Sequence, residues 1–219
     1  KLLNEAKEVM VFGSYTRNTI LPRNYDSNSD VDVLVIFNTT NGKKTPGTYR
    51  KNIVEALVKS YPLSIVKKDF PTIKLELNHI VFDVVPCYIH DIYNIKFYYI
   101  PNANDSWIPT VPNDLNDILS RKNQAYGNNI VRNIIRLCKH WNSSAGRVFD
   151  SYEMEKWIID RHFYSYDNLY DKFLIVMNDL AGNRAGVRQA LDYIQHYKGN
   201  WSQPANEIKQ LEWLQKLLP

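Results

Sequence analysis

Two aspartates, Asp30 and Asp32, stand one residue apart at the head of the apolar run VDVLVIF. In an extended chain, residues i and i+2 project from one face. The two carboxylates therefore point together, and Val31 and Val33 point to the other face. Like charges this close do not both ionise readily without a cation between them. Mg²⁺ meets that need, taking one or two carboxylates together with substrate phosphates and water. Two such ions, roughly 3.5–4 Å apart, clamp the attacking and leaving oxygens in phosphoryl or nucleotidyl transfer. That chemistry asks for a third carboxylate on a neighbouring strand. Asp83 supplies a candidate, interrupting the apolar stretch IVFDVV, where a charge is costly unless paired or metal-bound. The bland alternative is a pair of solvated acids at a strand start, with Asp83 at an edge or beside a lysine.

Upstream lies FGS, residues 12–14. A Gly-Ser turn exposes N–H groups and a hydroxyl that can hold a phosphate. Alone the signal is weak; its place before the aspartates gives it meaning. Arg17 and Arg23 add positive charge in between. Asp26 has no second carboxylate at i+2 and no apolar run after it, so it is not taken as a ligand. The five histidines show no metal-type spacing, and no Ser-His-Asp arrangement follows from spacing alone. Cys87 and Cys138 lie far apart, which suits a reduced, cytoplasmic setting.

The elements that must position these residues fall into two halves. The first is strand-rich. VDVLVIF reads as a buried strand, and the loop NTTNGKKTPG follows it. TYRKNIVEALVKSY then carries one helical face. TIKLEL and IVFDVV alternate in period two across a two-residue gap, which predicts a hairpin. Pro101, Pro109 and Pro112 punctuate an expected linker. Beyond it NNIVRNIIRLCKHWN places Ile134, Leu137, Cys138 and Trp141 on one face, from which Lys139 points away. Helices are expected near 151–164, 168–181 and 184–197, and over PANEIKQLEWLQKLL. The start KLLNEAKEVM is amphipathic and carries two glutamates, unlike a signal peptide.

The chain has 219 residues, 44% hydrophobic and 23% charged, with a formal net charge of +4. That balance is ordinary for a globular protein. It suits a phosphate-bearing ligand and does not indicate a nucleic-acid polymer, which calls for a basic stripe. No apolar run approaches the ~20 residues needed to span a bilayer.

Gly-Ser, then Asp-x-Asp on a strand, then a third Asp on a later strand, resembles the DNA polymerase β-like nucleotidyltransferase superfamily. FGSYTRNTILP, FDVVP, RLCKHWN and SYEMEKW, in that order, bring the chain closer to one branch. It resembles the bacterial cyclic-oligonucleotide synthases, kin to oligoadenylate synthase and the animal cyclic GMP-AMP synthase. The resemblance covers about residues 9–160. It implies an α/β (α+β) fold: a mixed sheet with a C-terminal helical lobe and the active site in the cleft between them. Residues 1–105 would form the catalytic lobe and 106–219 the helical lobe.

By the same resemblance, Asp30, Asp32 and Asp83 are the catalytic metal triad for two Mg²⁺ or Mn²⁺ ions. Gly13 and Ser14 cradle the donor triphosphate, Lys139 and Ser151 contact its phosphates, and Tyr152 stacks on the base. Asp150 and Glu153 have capping-box spacing, which puts Ser151 in a helix's first turn. The implied substrates are NTPs, ATP among them. The implied product is a cyclic or short linear oligonucleotide signal in bacterial anti-phage defence, with room for a regulatory protein partner and no membrane. The chain departs from the pattern at Asn18, where the family often has Gly, and in a long loop, PRNYDSNS. The rival readings are a nucleotidyltransferase acting on a tRNA 3′ end or a protein, and an inert nucleotide-binding module.

Overall fold

A computed structural model describes residues 5–164, 167–198 and 204–219. The chain divides into two compact units. One holds the residues up to Arg23 and Ser27–Asp117; the other holds Asn24–Asp26 and the chain from Ile118 onward.

The first unit is built on a seven-stranded mixed sheet. Strand β1 (Ala6–Phe12) runs antiparallel to β2 (Val31–Phe37), with the short helix α1 (Gly13–Thr16) between them. Helix α2 (Pro46–Ser60) follows, then β3 (Ile65–Lys68), β4 (Ile73–Glu76) and β5 (Val81–Ile92). β5 lies parallel to β2 and antiparallel to β4, and β3 pairs with β4. The order across the main path is β1-β2-β5-β4-β3. The far end of β5 continues antiparallel with β6 (Ile95–Asn102), which pairs with β7 (Ser106–Thr110).

The period-two alternation of β2 and β5 sorts residues to two faces. On one, Val35, Phe37, Ile73 and Val84 pack against Tyr49 and Ile53 of α2. On the other lie Leu34, Ile36, Val85 and Cys87. Asp32 and Asp83 belong to this second face, two residues before Leu34 and Val85. Val31 and Val33 are buried on the first, as the alternation predicts. Pro46 starts α2, where its missing N–H costs nothing, and the Thr45 side chain accepts from Thr48 N at 3.3 Å.

The hairpin expected at Asn78-His79 forms, closed by Leu77 N donating to Ile80 O at 2.9 Å. Residues 6–10 of the amphipathic start are strand, because β2 offers them an antiparallel partner; residues 1–4 lie outside the described residues. One expectation fails. The Pro-punctuated linker contains β7, in which Pro109 sits on a strand that pairs only with β6 among the described residues. A strand edge tolerates a residue without an N–H.

The second unit is helical. Helix α3 (Asn116–Tyr126) leads into α4 (Ile130–Ser144), α5 (Ser151–Asp160), α6 (Leu169–Ala181), α7 (Ala185–Lys198) and α8 (Pro204–Leu217). Helix α4 packs on α5 and α6, α6 on α7, and α7 on α8. Val131, Ile134, Ile135, Cys138, Ile158, Val176 and Met177 are buried there. Both cysteines are buried free thiols. No helix among the described residues is long and apolar enough to cross a membrane.

Candidate functional site

Register brings the expected residues of the sheet unit together. Phe12 of β1 pairs with Asp32 of β2, and Asp32 pairs with Asp83 of β5. Gly13 follows Phe12, so its backbone comes against the Asp32 side chain. A Cβ at Gly13 would stand 2.1 Å from Asp32 Oδ2, and its φ of +73° is one that side chains rarely adopt. Only glycine fits here. The four-residue α1 is pinned from outside. Thr16 Oγ1 donates to Gly13 O at 3.0 Å and stands 3.0 Å from Asn113 Oδ1, and Asn116 Nδ2 reaches Thr16 Oγ1 at 3.3 Å. Sequence spacing gave no sign of Asn113 and Asn116 in this role, since they come from about a hundred residues away.

Asn18 adopts φ +56°. Asparagine tolerates that left-handed conformation better than other non-glycine side chains. Arg17 is buried, so its charge is not displayed at the surface. In the long loop, Ser29 Oγ donates to Leu21 O at 2.6 Å and Arg23 Nη1 to Ser29 O at 3.2 Å. Asp26 belongs to the helical unit, where Arg147 and Ser143 engage its carboxylate.

Asp83 is the unusual group. It is only 9% exposed, and its buried Oδ1 has no hydrogen-bond partner among the described residues. Burial first, and the nearby charge of Asp30 second, push its carboxyl up to about 6; Lys74 pulls the other way. Lys74, on β4, is register-paired with Asp83 and holds Asp69 at 3.0 Å. The hydrogen bond to Asp69 raises the Lys74 ammonium above the ordinary range against some opposing burial, and the charges of Asp83 and Asp30 add to it. Sequence reasoning considered a lysine beside Asp83 without naming one; the strand register identifies it.

The donor set fits a hard divalent cation: carboxylates only, one with an orphaned buried oxygen, beside a backbone stretch free of side chain. As they stand, no three His, Cys, Asp or Glu side chains among the described residues are gathered into a ready metal site.

In the helical unit, α5 begins at Ser151, and the Asp150 side chain accepts from Glu153 N at 3.0 Å, as the spacing predicts. Tyr152 is 38% exposed, so it is not a core residue. Lys139 is not the solvated lysine of the bland reading: it is 7% exposed and ion-paired with Glu155 of α5, itself fully buried. Helix α4 is buried on more than one side, so a position off the main apolar stripe is still covered.

Comparison with known proteins follows the same lines. A Bacillus cereus (strain VD146) protein that carries the name "probable cyclic nucleotide synthase" is 26% identical over an alignment of 194 residues, covering 72% of this chain. The chain spans 56% of the length of that relative. Among solved structures, E. coli MS115-1 CdnC with ATP aligns at a TM-score of 0.67 and 14% identity, covering 98% of this chain and 83% of that one. Rhodothermus marinus CdnE c-UMP-AMP synthase, with Apcpp and Upnpp, aligns at 0.55 and 22% identity, covering 79% and 69%. The apo form of Vibrio cholerae DncV aligns at 0.60 and 15%, covering 79% and 50%. These likenesses establish the fold, a mixed sheet followed by a helical C-terminal region. The Second Messenger Oligonucleotide or Dinucleotide Synthetase domain model matches residues 2–123, more than half of the sequence, and the chain belongs to that family.

Proposed function

We propose that this chain is the nucleotidyltransferase core of a metal-dependent synthase that joins NTPs, ATP among them, into a cyclic or short linear oligonucleotide messenger. One observation carries the reading: Asp32 and Asp83 stand side by side on one sheet face, with Asp83 buried and one of its oxygens unsatisfied. A purely structural role leaves that burial unexplained. Family membership supports the reaction class, and nucleotides accompany CdnC and CdnE in their structures.

In this reading Asp30, Asp32 and Asp83 hold the divalent ions. Those ions, when bound, lower the cost of ionising the acceptor hydroxyl and of placing charge on the departing pyrophosphate. The donor triphosphate approaches the backbone N–H groups of Gly13 and Ser14 and the Ser14 hydroxyl. Asp83 accepts the proton of the acceptor hydroxyl. The acceptor oxygen then bonds to the donor α-phosphorus as the bond to the β-phosphate breaks and pyrophosphate leaves.

On the helical unit, Ser151 offers a hydroxyl and first-turn N–H groups to a phosphate, and exposed Tyr152 offers a ring to a base. Lys139 serves a phosphate only by sharing its ammonium with Glu155. The test is pyrophosphate release from each NTP alone and in every pair, with Mg²⁺ or Mn²⁺, and mass analysis of what forms. Release coupled to a product heavier than its NTPs supports synthesis. No release with any pair contradicts it.

A further inference from the structure

We propose that Lys74 receives the phosphates of the acceptor nucleotide. The inference rests on the nucleotidyltransferase reading above and adds a second substrate position to it.

The argument is one of order along a row. Residues opposite each other in paired strands share a face. Phe12, Asp32, Asp83 and Lys74 are successive partners across β1, β2, β5 and β4. Neighbouring strands lie about 4.7–4.9 Å apart. Gly13, where the donor triphosphate is placed, marks one end of the row, and Lys74 the other. In-line displacement requires the attacking oxygen to approach opposite the leaving pyrophosphate. With the leaving group toward Gly13, the acceptor enters from the Asp83 side, and the next side chain along that face is Lys74. The row beyond it continues to Lys67 on β3, which Glu76 holds at 2.7 Å.

Lys74 is free to serve. Its partner Asp69 is 57% exposed and Lys74 itself 31%. Such a surface pair is weak and readily exchanged for a phosphate. A lysine ammonium recognises phosphate as a compact charge with three rotatable donors. The contact therefore reads the phosphates of the acceptor and not its base.

The test uses α,β-methylene analogues of the four NTPs, which cannot be joined, titrated calorimetrically with Mg²⁺, singly and in pairs. Wild type is expected to bind two analogues per chain. Lys74→Gln is expected to weaken one of the two sites about tenfold and to leave the other within about twofold. Lys74→Arg is expected to retain most of that affinity. Asp69→Asn breaks the same ion pair but leaves the ammonium, and is expected to preserve both sites or tighten the weaker one. Unchanged binding in Lys74→Gln overturns the inference while leaving the nucleotidyltransferase reading intact. So does equal weakening by Asp69→Asn, which would make the pair merely structural, or a wild type that binds one analogue only. A wild type that binds no analogue overturns both.

Discussion

Replacing Gly13 with alanine separates what the site needs from what the fold needs. The substitution has two costs. The first is conformational: at φ +73° an alanine pays about 1–2 kcal/mol for the left-handed backbone. The second is local: the new Cβ would lie 2.1 Å from Asp32 Oδ2, against a floor of 3.0 Å for real Cβ contacts, so the carboxylate must retreat by about 0.9 Å. Displacement of a catalytic group on this scale costs on the order of 100-fold in rate. Gly127 provides the control. Its φ is also +73°, and nothing lies within 4 Å of its would-be Cβ. Both alanine variants are expected to lose the conformational share of stability, and Gly13→Ala somewhat more for the steric contact, with melting lowered by about 2–4 °C per kcal/mol. Only Gly13→Ala is expected to lose nucleotide joining, by about 100-fold in kcat/KM, as followed by pyrophosphate release. Activity in Gly13→Ala within about threefold of Gly127→Ala would refute the reasoning, because the collision with Asp32 would then have no chemical consequence.

Three further outcomes follow from particular contacts. Because the folded-state carboxyl of Asp83 is raised from 3.8 to about 6, the native state holds that proton more tightly than the unfolded chain. Its contribution to stability is therefore largest below about pH 4, falls as pH rises toward 6, and is flat above. In metal-free buffer Asp83→Asn should melt above wild type at pH 7.5, with the gap closing toward pH 4; a pH-independent gap would contradict this. Mg²⁺ should raise the melting temperature of wild type at pH 7.5 and leave that of Asp83→Asn nearly unchanged; equal shifts would remove Asp83 from the metal site. Breaking the buried Lys139–Glu155 pair with Glu155→Gln should cost about 3–5 kcal/mol in denaturant unfolding, whereas Lys139→Met/Glu155→Leu should restore most of that loss. If Lys139 also serves a phosphate, the restored double variant will still bind NTPs weakly.

The parts of the site that announce themselves are those that violate their surroundings. Asp32 and Asp83 are legible because each interrupts an apolar, β-branched strand, and period-two alternation places their neighbours without any tertiary knowledge. The Asp150 cap is legible for a similar reason, since it depends on three residues of local spacing. Lys74 is not named from sequence, because its relation to Asp83 exists only through the register of two strands. Glu155 looks like any solvated helix residue; it becomes the buried partner of Lys139 only when α5 packs on α4. The strand β7 is hidden by prolines that usually argue against strands and are tolerated here by an edge. The amphipathic start does not announce its strand either, because β1 exists only through its pairing with β2.

The central claim is that carboxylates from two adjacent strands carry nucleotidyl transfer. It is tested most directly by incubating the protein with all four labelled NTPs and Mg²⁺ or Mn²⁺, beside Asp30→Asn/Asp32→Asn, and resolving products by chromatography and mass spectrometry. The account predicts a small oligonucleotide from the wild type and none from the double variant. The same product in both proteins, or no NTP consumption by the wild type in either metal, would contradict it.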